Sequence, residues 1–582
     1  MNSAGPGRSE VRLRPPTPCW ETPPVPDPER VRALMEALRL PPALCTLLAV
    51  RGRYAVEEAK RFLRPRMDQL SDPALLADGL IAARRITRAI QDEERIFIHG
   101  DYDVDGVCAT ALLTQWVRSL GGFVTPFVPH RVRDGYDFSK SGLAAAEVAG
   151  ASLLVTVDCG TMAHETIAEA RGIGVDVIVT DHHTLGGELP DAFAVVNPQR
   201  PDCEYPDKGL CGTAVAFRLG ELVGRELGVN LAELYEMLDL VALASVADLV
   251  SLSGENRVLV AGGLQKISRT KSLGLRALLS VAGVSLGEVT AGRIGYQIAP
   301  RINAVGRMGA SSDALKLFLT EDPDEADRLA TVLDQANRDR RDEDQRTLDQ
   351  ALEDLEDSFD PDRDFGVVLA RPGWHPGVIG IVASRVVERI HRPVVILALE
   401  GEGGRGSARS IPGFHLYEAI ADCEEYLTRF GGHRQAAGME IRPGALEDFR
   451  LAFNESARSR LGHQSLQPVL RPDLDIELEE VNLKLVHWLS YLSPHGIGNP
   501  APLFRVRDVS INAPRIVGDN HLKAELRTSG AWLDAIGFGF IDRFDPKSLT
   551  EGKWDVLFRL ERNEWRGDVR VQARLSDLRP AS

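Results

Sequence analysis

The strongest constraint on this chain comes from residues 95–106, which read RIFIHGDYDVDG. The apolar residues at the start predict a short buried strand, and two glycines flank the turn that ends it. Asp101, Asp103 and Asp105 stand two residues apart in that turn, where three like charges repel one another. We therefore expect cations to neutralise this turn, the alternative being a solvated acidic loop.

Two more apolar strands with polar ends follow. The sequence LLVTV at 153–157 precedes Asp158, and VDVIVT at 175–180 precedes DHH at 181–183. Strands and helical patterns alternate at the spacing of βαβ units, which predicts an α/β fold with a doubly wound, mostly parallel sheet. Ligands bind at the carboxyl ends of strands in such sheets. The acidic turn, Asp158 and the DHH sequence should therefore meet at one edge.

A further candidate ligand lies in an apolar helical pattern at 231–250, which carries Asp248 near its end. A carboxylate in that setting must be paired or bound to metal, unless it is simply exposed at the end of a helix. Hard oxygens and imidazoles without thiolates suit two Mn²⁺ or Mg²⁺ ions, with Asp158 as the candidate bridge. The predicted metal ligands are His99, Asp103, Asp105, Asp158, His182 and Asp248.

Composition limits the class of protein. The 582 residues allow roughly four domains, and 44% apolar with 26% charged residues is typical of a soluble globular chain. No apolar run has the length of a membrane span, and the first residues lack the apolar core of a secretion signal. Seven cysteines without CxxC spacing predict a reducing cytoplasm. The net charge of −16 argues against a protein that coats nucleic acid, although a local basic groove remains open.

Four short motifs resemble those of the DHH phosphoesterase family: DVD at 103–105, VDCG at 157–160, TDHH at 180–183 and AD at 247–248. The spacing from His99 to the first motif is similar to the family's HxxxDxD arrangement. The resemblance implies one metal held by His99, Asp103 and Asp158, and a second held by Asp105, Asp158, His182 and Asp248. It also implies that His183 lies near the scissile phosphate and that Asp181 orients its neighbours. Asp101 is expected outside the coordination sphere.

The middle of the chain adds candidate substrate contacts. Arg301, Asn303 and Arg307 lie among small residues, as a phosphate or base contact requires, the alternative being an ordinary polar loop. Mixed charge from 322 to 357 predicts a long solvated helix that connects two lobes.

Two glycine-rich stretches, 403–410 and 430–438, predict loops whose backbone N–H groups approach an anion. Beside WHPGVIGIVASR at 374–385, they resemble the DHH-associated domain of the family's single-strand exonucleases. The candidate substrate-binding residues there are Arg405, Ser407, Arg409, Gly432 and His433.

After residue 504, five short alternating strands predict a small β-barrel of the OB type. Aromatic residues and arginines interleave in this region and are candidates for stacking on bases, although the barrel core is expected to take more than half of the aromatics. They are Trp488, Phe504, Arg505, Arg507, Trp532, Trp565 and Arg566. We expect the tail to add affinity and not chemistry, so that removing residues beyond about 465 spares the hydrolysis of very short strands.

The sequence predicts five segments: an N-terminal extension with short helices at 1–75, a DHH catalytic domain at 76–265, a helical segment and connector helix at 266–357, a DHH-associated domain at 358–462 and an OB-like nucleic-acid-binding domain at 463–582. The first 30 or so residues are predicted to be poorly ordered. The resemblance implies a single-stranded-DNA-specific 5′-3′ exonuclease of recombination and repair that uses two metal ions. A helicase and a single-strand-binding protein are candidate partners, and no membrane partner is expected. The alternatives are a DHH oligoribonuclease or cyclic-dinucleotide phosphodiesterase, and a catalytically inactive DHH scaffold of a replication complex.

Overall fold

The computed structural model describes residues 15–130, 134, 137–308, 311–462, 466–565 and 567–581. The chain forms two compact units. The first unit contains residues 55–338 and 490–501, and the second contains residues up to 54, 339–489 and those from 502 onward. Within the described ranges, no helix is both long and apolar enough to cross a membrane.

The strands are numbered in chain order: β1 (Cys19–Trp20), β2 (Arg95–Gly100), β3 (Phe123–Phe127), β4 (Leu153–Val157), β5 (Asp176–Thr180), β6 (Ala194–Val196), β7 (Val367–Pro372), β8 (Val394–Glu400), β9 (Gly403–Arg409), β10 (Leu427–Gly432), β11 (Ala436–Ile441), β12 (Val469–Leu470), β13 (Leu474–Asp475), β14 (Phe504–Val517), β15 (His521–Arg527), β16 (Trp532–Gly537), β17 (Trp554–Trp565) and β18 (Asp568–Pro580).

The α-helices are α1 (Pro28–Leu38), α2 (Pro42–Val50), α3 (Val56–Leu63), α4 (Gly79–Gln91), α5 (Val104–Ser119), α6 (Lys140–Val148), α7 (His164–Gly172), α8 (Gly212–Glu226), α9 (Ala232–Glu236), α10 (Leu238–Ala247), α11 (Gly254–Ile267), α12 (Leu273–Val281), α13 (Ala291–Arg293), α14 (Ala299–Met308), α15 (Ser311–Leu319), α16 (Pro323–Ser358), α17 (Ile379–Ile390), α18 (Leu416–Ala421), α19 (Leu446–Leu461) and α20 (Leu483–Leu489). A π-helical turn at Ile294–Ile298 leads into α14.

The first unit is built on a five-stranded sheet in the order β3-β2-β4-β5-β6. Every pairing in this sheet is parallel, so the carboxyl ends of the strands share one edge. Apolar side chains cover both faces: Leu112 and Phe217 belong to the larger core on one side, and Phe97 and Ile167 to the core on the other. The predicted doubly wound parallel sheet is confirmed.

Two predictions for the stretch from 295 to 357 need correction. The stretch from 295 to 307 is not a polar loop, because the π-helical turn and α14 make it helical. The connector predicted at 322–357 is a helix, α16, but it is not solvated all round. Leu329, Leu333 and Leu355 are buried on it, since apolar residues at helical spacing form a stripe among the charges.

The second unit contains a sheet in the order β10-β11-β9-β8-β7. Both glycine-rich stretches form antiparallel strands in it, with Ser407 opposite Gly438, so the prediction of two loops is wrong. The physical reason is close packing: a Cβ on Gly404 would lie 2.5 Å from the Ala398 carbonyl oxygen, and one on Gly406 would lie 2.6 Å from Leu397. Glycine at these positions makes room for neighbours in the sheet.

A six-stranded sheet in the order β13-β14-β15-β16-β18-β17 closes through a β14–β17 pairing. All five predicted strands are present, and the OB-type barrel is confirmed. Phe504 is fully buried, and the buried Arg505 pairs with the partly exposed Asp475. Trp532 is 54% exposed and remains a candidate for stacking on bases. Trp488 is half-buried, the Arg507 side chain is 56% exposed and also pairs with Asp475, and the predictions for Arg566 and the Trp565 side chain lie outside the described residues.

The N-terminal segment is more ordered than predicted where it is described. Residues 1–14 lie outside the described ranges, but β1 pairs in parallel with β12. The Trp20 indole Nε1 donates a hydrogen bond of 2.7 Å to Oδ2 of Asp577, which is buried. A buried hydrogen bond to a charged acceptor of this kind holds the segment on the barrel.

Candidate metal centre and substrate-binding residues

The acidic turn lies between β2 and α5. Asp103 is the N-cap of α5, and its Oδ1 accepts hydrogen bonds from the backbone nitrogens of Asp105 at 2.9 Å and Gly106 at 3.1 Å. Aspartate is favoured at this position because it satisfies orphan N–H groups and because the positive end of the helix dipole attracts a carboxylate. Local chemistry therefore stabilises one of the three like charges.

Asp105 is held by a different helix. Its Oδ2 accepts from the Gly212 nitrogen at 2.6 Å, and its Oδ1 accepts from the Thr213 nitrogen at 2.7 Å, at the N-terminus of α8. The Thr213 hydroxyl donates to the Asp105 carbonyl at 2.9 Å. Asp105 is almost fully buried, and the helix N-terminus supplies the donors that such a carboxylate needs.

Asp158 follows β4 with a left-handed backbone, at φ 62°. The N-terminus of α8 packs tightly against it, because a Cβ on Gly212 would lie 2.5 Å from Asp158 Oδ1 and 2.8 Å from its Cα. A non-glycine residue in this conformation carries strain, which persists where the surrounding structure enforces it. The fold therefore holds this carboxylate in one orientation.

The DHH sequence lies at the end of β5. Oδ1 of Asp181 accepts from the His183 ring nitrogen Nδ1 at 2.7 Å and from the His182 backbone nitrogen at 2.7 Å. Nε2 of His182 points into the acidic cluster, 3.1 Å from Asp158 Oδ1, 3.7 Å from Asp248 Oδ2 and 3.8 Å from Asp105 Oδ2. The predicted edge of the sheet thus brings together residues from four separate segments.

Among the described residues, three groups of side chains place their potential ligand atoms within 4.8 Å of one another: Asp101, Asp103 and Asp158; Asp105, His182 and Asp248; and Asp158, His182 and His183. They include five of the six predicted metal ligands. Asp158 occurs in two groups, as expected of a bridging carboxylate.

His99 is the predicted ligand that these groups do not contain. Its buried ring packs against Phe127 and Phe138, at centroid distances of 5.2 Å each. The group that contains Asp103 and Asp158 includes Asp101 instead of His99. The sequence prediction placed Asp101 outside the coordination sphere. The equal spacing of the three aspartates was the available signal for Asp101. The role of His99 stays a prediction.

The electrostatics of the cluster favour a bound cation. Burial and the charges of Asp105 and Asp103 raise the pKa of Asp248 to about 8. Burial and the neighbouring carboxylates likewise raise the pKa of Asp158 well above its usual range. Burial lowers the pKa of His182, and it lowers that of His99 to about 4, which keeps both imidazoles neutral. Without positive charge, these carboxylates repel one another too strongly to ionise together.

The donor atoms fit Mn²⁺ or Mg²⁺. Within the described ranges, Nε2 of His99, Nε2 of His182 and Oδ1 of Asp158 are buried and make no hydrogen bond, although the last two atoms lie 3.1 Å apart. Buried polar atoms in such a state need a partner, and a divalent cation accepts lone pairs from carboxylate oxygen and neutral imidazole alike. The nearby thiol of Cys159 is kept protonated, because burial and adjacent carboxylates raise its pKa.

The DHH histidines depend on residues that sequence reasoning missed. The Thr161 nitrogen donates to Asp181 Oδ2 at 3.1 Å. Nδ2 of the fully buried Asn197 donates to the His183 carbonyl at 3.0 Å and to the Thr161 hydroxyl at 3.2 Å. No sequence pattern marked Asn197, because its partners come from two other loops. Supporting hydrogen bonds of this kind fix the orientation of ligands.

The candidate substrate contacts on α14 lie close to the acidic turn. A Cβ on Gly306 would lie 3.0 Å from the Tyr102 carbonyl, so α14 packs against that turn. Asn303 and Arg307 are three residues before and one residue after Gly306, and both are half-buried. Arg301 is committed elsewhere, because its Nε and Nη2 each lie 2.9 Å from Asp334 Oδ1.

The candidates in the second unit lie on β9, at the end of β10 and just after it, and two of them lie beside the start of α17. Arg405, Ser407 and Arg409 alternate along β9, and Nη1 of Arg409 donates to the Ser407 hydroxyl at 3.1 Å. A Cβ on Gly380, in the first turn of α17, would lie 2.9 Å from both side chains. Gly432, the last residue of β10, and His433, in the turn that follows it, are both exposed. An arginine and a hydroxyl beside a helix N-terminus form an arrangement suited to an anion.

Three family models match this chain. The DHH family N-terminal domain matches residues 95–245, the DHHA1 domain residues 364–459 and the RecJ OB domain residues 472–577. Together with the cluster of carboxylates and imidazoles at the sheet edge, these matches define a metal-dependent enzyme of the DHH family.

The full-length relatives narrow the class. The single-stranded-DNA-specific exonuclease RecJ of Bacillus subtilis is 36% identical over 562 residues, covering 95% of this chain and 70% of the relative. The crystal structure of Thermus thermophilus RecJ with Mn²⁺ superposes with a TM-score of 0.83 at 31% identity, covering 99% of this chain and 80% of that one. The crystal structure of the same protein with Mg²⁺ superposes with a TM-score of 0.77 at 30% identity, covering 97% of this chain and 78% of that one. The chain belongs to the RecJ family.

Proposed function

We propose that this protein is a metal-dependent exonuclease that degrades single-stranded DNA from the 5′ end and acts in recombination and repair. The observation that carries the proposal is the edge of the first sheet, where carboxylates and neutral imidazoles point buried, unsatisfied atoms at one another. The similarity to RecJ proteins named as single-stranded-DNA-specific exonucleases supports the substrate. The 5′-3′ direction rests on the family resemblance.

The candidate metal ligands and the DHH residues have distinct proposed roles. Asp103, Asp105, Asp158, His182 and Asp248 would hold two Mn²⁺ or Mg²⁺ ions, with His99 as a predicted further ligand and Asp101 as a candidate from its position. When bound, such ions lower the pKa of a water and neutralise charge that develops on the phosphate. The protein holds His183 beside the cluster through Asp181, whose hydrogen bond and charge outweigh burial and raise the pKa of His183 to about 9. A protonated His183 can donate a hydrogen bond to a phosphate oxygen.

The second unit would bind phosphate. Arg409 and Ser407, on β9 beside the start of α17, are the proposed core of this anion site, with Arg405, Gly432 and His433 as further contacts. On α14, Asn303 and Arg307 are the proposed contacts for the strand near the acidic turn, and Arg301 would act through Asp334. The exposed Trp532 of the barrel is the proposed stacking residue.

The five predicted segments remain the proposed domains, with one change: residues 490–501 belong with the catalytic segment, since they pack in the first unit. A helicase and a single-strand-binding protein are the proposed partners, because an enzyme that needs single strands depends on an activity that exposes them. We place the protein in the cytoplasm, a location consistent with seven free cysteines, six of them buried.

The test uses one single-stranded oligonucleotide labelled at either end, with Mn²⁺ or Mg²⁺, and compares the wild type with Asp158→Ala. We expect the 5′ label to be released at once as a short product, the 3′ label to shorten progressively, and Asp158→Ala to be inactive. Asp191→Ala, whose side chain is 84% exposed, is the matched control and should be fully active.

Each alternative has its own result. Degradation from the 3′ end, or activity that survives Asp158→Ala, contradicts the proposal. Cleavage restricted to very short RNA or to dinucleotides would favour an oligoribonuclease or a cyclic-dinucleotide phosphodiesterase. Binding of DNA without any cleavage would favour an inactive scaffold.

A further inference from the structure

Residues 490–501 lie far along the chain from the metal centre but pack in the first unit. The Leu252 nitrogen donates a hydrogen bond of 2.7 Å to the Ile497 carbonyl. A Cβ on Gly496 would lie 2.7 Å from Cδ1 of Leu252. Leu252 follows Asp248 by four residues, a reach of at most about 14 Å of extended chain. The segment is therefore attached to the chain four residues after Asp248, a proposed metal ligand.

A buried arginine holds this segment. Arg257 is 2% exposed, and its guanidinium donates to four successive backbone carbonyls: Tyr491 at 3.1 Å, Leu492 at 3.0 Å, Ser493 at 2.7 Å and Pro494 at 3.3 Å. It also stacks on Phe62 at 3.8 Å from the ring centroid. Hydrogen bonds from a charged donor are stronger than those between neutral groups, and here they are also buried. The segment is therefore held rigidly by Arg257.

Two further residues of the segment fix its position. Nδ2 of the buried Asn499 donates to the carbonyls of Leu492 at 2.7 Å and Pro494 at 2.8 Å. Gly498 has φ 72°, and a Cβ there would lie 2.0 Å from the Ser251 hydroxyl. Only glycine fits both the left-handed backbone and this close approach.

The segment presents an exposed aliphatic side chain. Ile497 is 55% exposed at the tip, although its own backbone is bonded to Leu252. Leu249, next to Asp248, is 66% exposed and has a left-handed backbone at φ 59°. A strained, exposed leucine beside a candidate metal ligand is a feature that packing alone does not explain.

We propose that Leu249 and Ile497 form an apolar contact for a nucleobase of the substrate strand. The inference rests on the proposed function and names the part of the substrate that this surface binds. A phosphate at the metal centre brings its attached base within reach of a surface that begins one residue after Asp248. An aliphatic surface covers the face of any base without reading its sequence, which suits an enzyme that degrades strands of any composition.

The test uses the full chain with Ile497→Ser and a set of oligonucleotides in which one abasic position moves inward from the 5′ end. For the intact oligonucleotide we expect KM to rise at least threefold while kcat stays within twofold. For the wild type, one abasic position should raise KM by a similar factor. Ile497→Ser should be insensitive to that same position, because the contact is already lost. Thermal stability and Mn²⁺ affinity should match the wild type.

Ile173→Ser is the matched control, since Ile173 is 50% exposed in the same unit and precedes β5, at the opposite edge of the sheet. It should behave as the wild type on every oligonucleotide. The inference is overturned if Ile497→Ser has the same KM as Ile173→Ser, or if it keeps the wild-type sensitivity to the abasic position. A wild type that does not cleave single-stranded DNA at all would instead contradict the proposed function.

Discussion

At the scale of single residues, the metal centre combines local and distant support for its carboxylates. Asp103 is stabilised by the start of its own helix, through donors two and three residues away. Asp105 depends on backbone nitrogens more than a hundred residues along the chain. Carboxylates with such different supports respond differently to substitution: a change at α8 should disturb Asp105 and Asp158 while it leaves the cap at Asp103 intact.

Gly212→Ala tests this dependence. The added methyl group would meet Asp158 at 2.5–2.8 Å, so the carboxylate or the start of α8 must shift. We expect a loss of about 1–3 kcal/mol of stability from overpacking, together with weaker Mn²⁺ binding measured by isothermal titration calorimetry.

The control for this substitution is Gly172→Ala, where nothing lies within 4 Å of the added carbon. It lies at the end of α7 and should leave Mn²⁺ affinity unchanged. Equal Mn²⁺ affinity in the two variants would show that α8 does not position Asp158.

At the scale of elements, α8 is also tied to its neighbours by a buried polar network. Arg218 is 2% exposed, donates to Glu221 and lies 3.0 Å from the Tyr205 hydroxyl. That hydroxyl donates to Glu255 on α11 at 2.5 Å, and Tyr235 donates to Glu221 at 2.5 Å. The network links α8 to α11 and to the end of α9, and it holds the helix whose N-terminus supports Asp105.

Arg218→Met should therefore be strongly destabilising, by about 3–5 kcal/mol, because it leaves buried carboxylates without their cation. Burial already raises the pKa of Glu221, and Arg218 opposes that rise. Without the arginine the pKa rises further, so the loss should be largest above that pKa and shrink as the pH falls and Glu221 takes up a proton. Urea denaturation at several pH values measures both effects.

Arg225→Met is the matched control on the same helix, since Arg225 is 48% exposed and pairs with an exposed Asp72. An exposed ion pair contributes about 0–1 kcal/mol, so this variant should stay close to the wild type. A loss for Arg218→Met no greater than for Arg225→Met would mean that the network carries little stability.

At the scale of the whole molecule, each compact unit is assembled from stretches that are separate along the chain. The first unit takes residues 490–501 from a region that the sequence assigned to the C-terminal domain, and the second takes residues before 55. The sequence predicts that the catalytic part can be truncated near residue 465. Such a truncation removes part of the first unit as well as the barrel.

We expect a chain that ends at residue 501 to keep more catalytic function than one that ends at 489. The shorter chain leaves buried Arg257 without its four carbonyl acceptors, and unpaired buried donors cost about 1–3 kcal/mol or more. Calorimetric unfolding and Mn²⁺ titration of the two chains measure the difference, and both lack the barrel alike. Identical unfolding temperatures and Mn²⁺ affinities for the two chains would instead support the domain boundary predicted near residue 465.

The sequence by itself determined the elements of the parallel sheet and of the barrel, and the chemistry of the site. Alternating apolar strands and helices specified the parallel sheet, and polar residues after three strands specified its functional edge, because both follow from local periodicity and the direction of strands. The five barrel strands were equally readable. These features depend on neighbouring residues, and a single sequence contains that information.

Only the tertiary structure decided which residues meet. It grouped Asp101 with Asp103 and Asp158 while packing His99 among aromatic rings, and it committed Arg301 to Asp334. It turned two glycine-rich stretches into strands and brought residues 490–501 against Leu252, four residues after Asp248. Such contacts join residues tens to hundreds of positions apart, where periodicity carries no information and close packing of the folded chain makes the choice.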